Sequence, residues 1–288
     1  MRPVVLIGTG RLAHTLAYLL HEKGLSFRVY GRRKAAARQL ARPYGAPHGC
    51  VDEAPSLAYG FYLLAVSDGA IRDVSRRVVD RLAPGGSYYF IHFSGAFSSR
   101  IISTSATCRI GRAKVHPMVS FPQTGILAPA ILARTHCGIE GDPLMQRMLT
   151  RLLTRHFGLR AFAVAEKDAP VLHLICVVMA NFISPVLQQG LNLLHAHTWD
   201  NPIGMDSFHA LIASVLENMY TAGKVQPTGP LARLDIATIE QHARILKHTA
   251  YGAFYRNMAL LYLDVFSKEI SGHNKQEIER LKHLLAAL

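Results

Sequence analysis

His116 and His173 are the side chains in this 288-residue sequence best suited by type to move a proton near neutral pH. His173 lies in an apolar stretch, Ala169 to Leu187, that has helical spacing, and Asn181 follows eight residues later. Eight residues are about two helical turns, so the two polar groups fall roughly on one face. A histidine there suits a general acid, delivering a proton to an oxygen or nitrogen that gains charge, with the asparagine orienting that atom. The same pair also suits a helix–helix interface in which both side chains are satisfied internally. His116 precedes Pro117 after a short β-rich run, which fits either a residue at the edge of a site or an ordinary turn.

A second kind of chemistry is written near the N-terminus. Val4 to Ile7 is a β-rich run, and Gly8-Thr9-Gly10-Arg11-Leu12-Ala13 follows as G-x-G-x-x-A before a helical pattern. Gly8 permits the tight turn, Gly10 lets the backbone approach a pyrophosphate, and Ala13 lets helix and strand pack closely. The free N–H groups of the helix start then bind phosphate. Thr9, Arg11 and Leu12 share that turn. At the end of the second strand, where sites for the unphosphorylated dinucleotide place a carboxylate on the ribose, the chain has Gly31-Arg32-Arg33-Lys34. No acid repels a 2′-phosphate and three cations attract one, which favours NADP(H) over NAD. Val66 and Ser67 after the third clear strand, and Ser94 after the next, fall at the same sheet edge and are expected to approach the cofactor. Thr228 and Arg233 flank a Gly-Pro turn before a helix start at Asp235. Arg233 suits a substrate carboxylate or a loop brace, and Asp235 suits an N-cap. The histidines and the four cysteines show no metal-ligand spacing, so no metal is expected.

The elements that must hold these residues divide the chain in two. Short apolar runs alternate with helical patterns over residues 1–165: Pro3–Ile7, Phe27–Tyr30, Phe61–Val66, Tyr88–Phe93, Ala113–Val115, His136–Ile139 and Ala161–Val164 read as strands. Asp142-Pro143 reads as an N-cap and first helical residue. This alternation implies a doubly wound, mainly parallel α/β sheet, which with the phosphate turn is a Rossmann domain. Over 166–288 strand signals vanish. Long apolar-periodic stretches at 169–198, 206–222, 235–268 and 274–287 predict an all-helical domain. Ala169–Leu187 approaches the length of a membrane span, but His173, Asn181, Ser184 and Pro185 interrupt it, so a buried helix and no membrane are expected.

Composition agrees. Half the residues are hydrophobic, which excludes a disordered chain. Residues 1–165 carry 22 Lys/Arg against 8 Asp/Glu, whereas 166–288 carry 10 against 11, so the net +13 belongs to the first half. That basicity favours an anionic partner. Its cations run along helices with little aromatic interleaving, which argues against nucleic acid. Scattered cysteines and no secretory signal point to the cytoplasm.

With these motifs placed, the sequence resembles proteins that carry the C-terminal domain DUF2520, relatives of pyrroline-5-carboxylate reductase, ketopantoate reductase and the 6-phosphogluconate dehydrogenase-like enzymes. Matching segments are Leu64–Asp68, His92–Ala96, His116-Pro117-Met118, Ile139–Asp142 and Thr228–Asp235 with His242 beyond. The family usually has glycine at Leu234 and tyrosine at Leu172. The resemblance implies NADP binding, a helical domain of the 6-phosphogluconate dehydrogenase-like type, a first helix of that domain facing the nicotinamide with the catalytic polar residues, and pairing of two copies through it. The expectation is an NADP(H)-dependent oxidoreductase acting on a small carbonyl or imine, carboxylic acids included, as a homodimer. The competing reading is an NADP-binding sensor or scaffold without turnover.

Overall fold

The computed structural model of the chain describes residues 3–54, 59–121, 126–201, 203–270 and 275–286. Two compact units divide the chain, Met1–Phe182 and Ile183–Leu288. The sequence change from strands to helices at 165/166 precedes this boundary. The difference has a physical cause: the helix after the last strand packs on the sheet's own unit, with Leu172 over Gly138 and His173 over Gly95.

The first unit is an eight-stranded sheet. Its elements are β1 (Val4–Ile7), α1 (Arg11–Glu22), β2 (Phe27–Gly31), α2 (Lys34–Ala41), β3 (His48–Cys50), β4 (Tyr59–Leu64), α3 (Ile71–Val79), β5 (Ser87–His92), β6 (Arg109–Pro117), α4 (Pro129–Leu132), β7 (His136–Gly141), α5 (Pro143–Phe157), β8 (Arg160–Ala163) and α6 (Ala169–Cys176). The strand order is β3-β2-β1-β4-β5-β6-β7-β8. All neighbours are parallel except β6 with β7. Both faces are covered, which is why the strands read as continuous apolar runs. Val4, Leu6 and Leu63 join Ala13 and Ala17 of α1 and Leu149 of α5 on one face. Val5, Ile7, Tyr62 and Phe90 join Ile71 and Val78 of α3 on the other. Chain direction across the sheet reverses between β1 and β4, and ligands of open α/β sheets bind at the carboxyl ends beside such a switch.

Three details differ from the sequence reading. β3 carries His48-Gly49-Cys50 and has no β-rich signature. β6 is nine residues long instead of the apolar triplet Ala113–Val115, because Arg112, Lys114 and His116 alternate with the apolar residues. Asp142 does stand before Pro143 at the start of α5, but its carboxylate accepts from the Arg112 N–H at 2.9 Å and makes no capping bond to α5.

The second unit is helical: α7 (Ile183–Ala196), α8 (His209–Ala222), α9 (Gly229–Ala232), α10 (Ile236–Leu246), α11 (Gly252–Val265), α12 (Ser267–Ile270) and α13 (Lys275–Ala286). Positions 274 and 287 of the last expected stretch lie outside the described residues. The stretch read as 235–268 breaks into α10 and α11 around His248, whose φ of 62° ends the helical path. Ile239, Ala259, Leu263, Leu281 and Leu285 form the core, together with Leu234, which adopts a φ of 50°.

The apolar run at Ala169 is a correction. It continues helically to Ala196 through a π turn at Val177–Asn181, with a mean hydropathy of 2.0. By length and composition it is able to cross a membrane. It was expected to be buried, yet none of its most apolar window is buried in the single chain. Leu174, Met179 and Phe182 are exposed, as are Leu211, Val215 and Tyr220 on α8. A sequence shows that a stripe is apolar; it does not show whether its own chain covers it.

Candidate active site

The phosphate turn has the geometry its sequence demands. Gly8 has a φ of 130°, and a Cβ there would lie 2.0 Å from the Ala65 carbonyl oxygen, so only glycine fits where the end of β1 passes the end of β4. Gly10 is the N-cap of α1, and a Cβ built on it meets nothing within 4 Å. No side chain caps this helix start and no acid occupies its first turn. Free N–H groups beside open space, with the positive end of the helix dipole behind them, fit a pyrophosphate. Thr9 lies against Gly31, so the turn and the end of β2 are in contact. Arg11, Arg32 and Arg33 are exposed, and Leu12 is partly buried. Among the described residues Arg32 and Arg33 make no ion pair, whereas Lys34 lies 3.6 Å from Glu53. Two free cations therefore stand where the sequence suggested three. Val66 is half-buried and Ser67 exposed at the carboxyl end of β4.

After β5 the chain folds back in a loop, Ser94–Ser99. Ser94 is buried, and its hydroxyl accepts from the Ala96 and Phe97 amides at 3.2 Å each. Its oxygen thus shapes the loop. His92 sits beneath: Nδ1 accepts from the Ser94 N–H at 3.2 Å, which leaves Nε2 to donate to the Ser98 carbonyl at 3.2 Å. Lys114 Nζ donates to the Gly95 carbonyl at 2.7 Å. The Glu140 carboxylate accepts from the Ser99 N–H at 2.7 Å and from its hydroxyl at 2.8 Å. Sequence reasoning missed His92, Lys114 and Glu140 as a group. A signal existed, since Lys114 and His116 alternate with Ala113 and Val115 and so share one face of β6.

His116 and His173 come together on this loop. Their ring centroids are 5.4 Å apart, nearly edge to face. The His173 ring rests on Gly95, where a Cβ would approach its Nδ1 to 2.0 Å. His116 Nε2 and His173 Nδ1 are both buried without a hydrogen-bond partner. A buried polar atom left unpaired costs about 1–3 kcal/mol, and each of these two rings carries one. Burial pushes His116 down to about 4, with His173 and Lys114 adding to the effect, so it is neutral at pH 7. Asn181 is exposed and ends the π turn, in which the Phe182 N–H donates to the Val177 carbonyl at 3.2 Å. In the second unit Thr228 and Arg233 are exposed at the two ends of α9. Asp235 accepts from the Thr238 amide at 3.1 Å and is the N-cap of α10.

His92 contributes one part of the pH dependence of stability, and His116, pushed to about 4 by burial as well, contributes another over the same range. Burial pushes the His92 imidazole to about 4 from 6.5, with Lys114 lowering it further and the Ser98 carbonyl opposing. The unfolded chain therefore binds this proton first as pH falls. Stability present above 6.5 is lost as the pH falls from 6.5 to about 4, by on the order of 3 kcal/mol at most. Denaturant midpoints at pH 7, 5.5 and 4.5 check this. The His92→Gln variant should show a flatter slope over that range, and an unchanged slope contradicts the assignment.

Residues 135–261 match the family model described as Domain of unknown function (DUF2520). The first unit has a Rossmann-type fold. No curated protein matches the chain by sequence. By structure it is similar to a Bacteroides fragilis protein provisionally assigned as an NADP oxidoreductase, with TM-score 0.71, 23% identity, and 94% of this chain and 98% of that one covered. The TM1727 protein of Thermotoga maritima follows at TM-score 0.64 and 23% identity, with 92% and 99% covered. A pyrroline-5-carboxylate reductase from Coxiella burnetii has TM-score 0.51 and 15% identity, with 98% of each chain covered. The DUF2520 match begins at the start of β7 and ends within α11, so it includes residues of both units.

Proposed function

We propose that this protein is an NADP(H)-dependent oxidoreductase that transfers a hydride to or from a small carbonyl or imine substrate, including one that bears a carboxylate. The observation that carries this reading is the open phosphate turn at Gly8–Leu12 with Arg32 and Arg33, exposed and unpaired among the described residues, in place of a carboxylate after β2. The bound nicotinamide would supply the hydride. His173 is assigned to exchange a proton with the substrate oxygen or nitrogen, and neutral His116, its ring centroid 5.4 Å away, to hold the same atom by a hydrogen bond. Asn181 orients the substrate, Val66 and Ser67 border the cofactor, and the buried Ser94 shapes the loop beside it. Thr228 and Arg233 are assigned to a substrate carboxylate, since Arg233 makes no ion pair among the described residues. The name of one similar fold, pyrroline-5-carboxylate reductase, identifies a cyclic imine with a carboxylate as the first class to try. Carbonyl and imine acids are screened for consumption of NADPH absorbance. Fluorescence change on mixing with NADPH but no turnover across the screen would favour a sensor.

The protein is further assigned to the cytoplasm, on its four free cysteines, and to a homodimer formed through the helical unit. The exposed apolar faces of α7 and α8 support pairing, because closed two-fold association is the commonest way to cover such surface. Light scattering at micromolar concentration is expected to give twice the 31.8 kDa chain mass. The Leu211→Glu, Val215→Glu double variant should halve it, and a monomer mass for the unaltered protein overturns the assignment.

A further inference from the structure

Three buried polar side chains lie in one row across the sheet. His92 on β5 is in register with Lys114 on β6, and Lys114 with Glu140 on β7. Their relative exposures are 0%, 2% and 4%. Charged groups so buried are costly unless bonded, and a purely structural ion pair would close on itself. This row does not. Lys114 and Glu140 are register partners and the Glu140 charge favours the Lys114 ammonium, yet each spends its hydrogen bonds on the loop after β5. His92 bonds Ser94 and Ser98, Lys114 bonds Gly95, and Glu140 bonds Ser99 twice. Three adjacent strands thus grip one six-residue loop at both ends. The gripped residue Gly95 is the seat of the His173 ring, with no room for a side chain between them.

We infer that His92, Lys114 and Glu140 are positioning residues for the His173 site, clamping the Ser94–Ser99 loop so that Gly95 fixes the His173 ring against His116. This rests on the reading that His173 carries the proton. The chain of contact runs from Lys114 through the Gly95 carbonyl to the imidazole, so Lys114 acts on the reaction without touching the substrate. A glycine is required at the seat, and a rigid glycine needs an outside anchor because it has the largest conformational freedom to lose.

The test uses the full chain with Lys114→Met, which removes the donor to Gly95, and Lys114→Arg, which keeps a donor. Amide hydrogen exchange and histidine ring-nitrogen resonances are read by NMR, and neither requires a substrate. Lys114→Met is expected to speed exchange at Ala96 and Phe97 at least tenfold while Ile91 and Val115 keep their protection, and to move the His173 ring resonances. Lys114→Arg should restore both in part. With an active substrate in hand, kcat should fall at least tenfold while KM for NADPH stays within about threefold. Uniform loss of protection with His173 resonances unmoved overturns the inference, since a structural role alone does that. If Lys114→Met fails to fold, Ser99→Ala removes only the hydroxyl bond to Glu140, and the same local pattern must appear there at smaller size or the inference fails. Absence of NADPH binding by the unaltered protein would defeat the oxidoreductase reading while leaving the exchange and resonance results to judge the clamp.

Discussion

Replacing Arg32 and Arg33 together by alanine should weaken NADPH binding by about 10²-fold or more while NADH affinity stays within a few-fold. A hydrogen bond to a charged group contributes about 1.5–3 kcal/mol. Two such contacts to a 2′-phosphate would exceed 10²-fold, and the exposure of both arginines, where salt and water screen charge, argues for the lower end. The comparison variant is Lys34→Ala. Because Lys34 is paired with Glu53, its loss should change NADPH affinity far less. Fluorescence titration with each cofactor decides the matter. Equal affinity of the unaltered protein for NADPH and NADH removes the basis of the assignment.

The second large effect concerns proton transfer. General acid catalysis contributes about 10²–10⁴-fold, so His173→Gln should reduce turnover within that range while the fold and NADPH binding persist. Glutamine keeps a hydrogen-bonding group of similar reach and loses only the titratable proton. His116 plays a different part. Held neutral by burial, it has no proton to deliver at pH 7, so His116→Gln should cost less in kcat than His173→Gln. If the order is reversed, with His116→Gln abolishing turnover and His173→Gln tolerated, the roles are exchanged and His116 is the acid.

Much of the first unit was legible because its signals are local. Gly8 and Gly10 announce a turn whose requirements are set by the backbone alone, and the apolar runs of β1, β4 and β5 are buried on both faces, as their continuity implies. The Asp235 cap was legible for the same reason. What escaped the sequence is non-local. Lys114 and Glu140 lie 26 positions apart and become neighbours only through the antiparallel register of β6 and β7, which no local periodicity encodes. Nor does its position after a strand reveal that the Ser94 hydroxyl shapes its own loop, accepting from the Ala96 and Phe97 amides. The helix from Ala169 differs for another reason: its polar interruptions predict a buried helix, whereas its apolar side chains face outward in the single chain. The π turn is likewise invisible to a pattern built on 3.6 residues per turn.

Leu234 bears on how this chain can change. A leucine in left-handed backbone carries about 1–2 kcal/mol of strain that glycine would not. The same side chain is buried among Ile239 and Leu263, a contribution of about 1.5–3 kcal/mol. The two terms nearly cancel, so Leu234→Gly should change stability little: it removes strain and opens a hole in one step. A net gain from glycine at this position therefore needs a larger neighbour to refill the space that the leucine now holds.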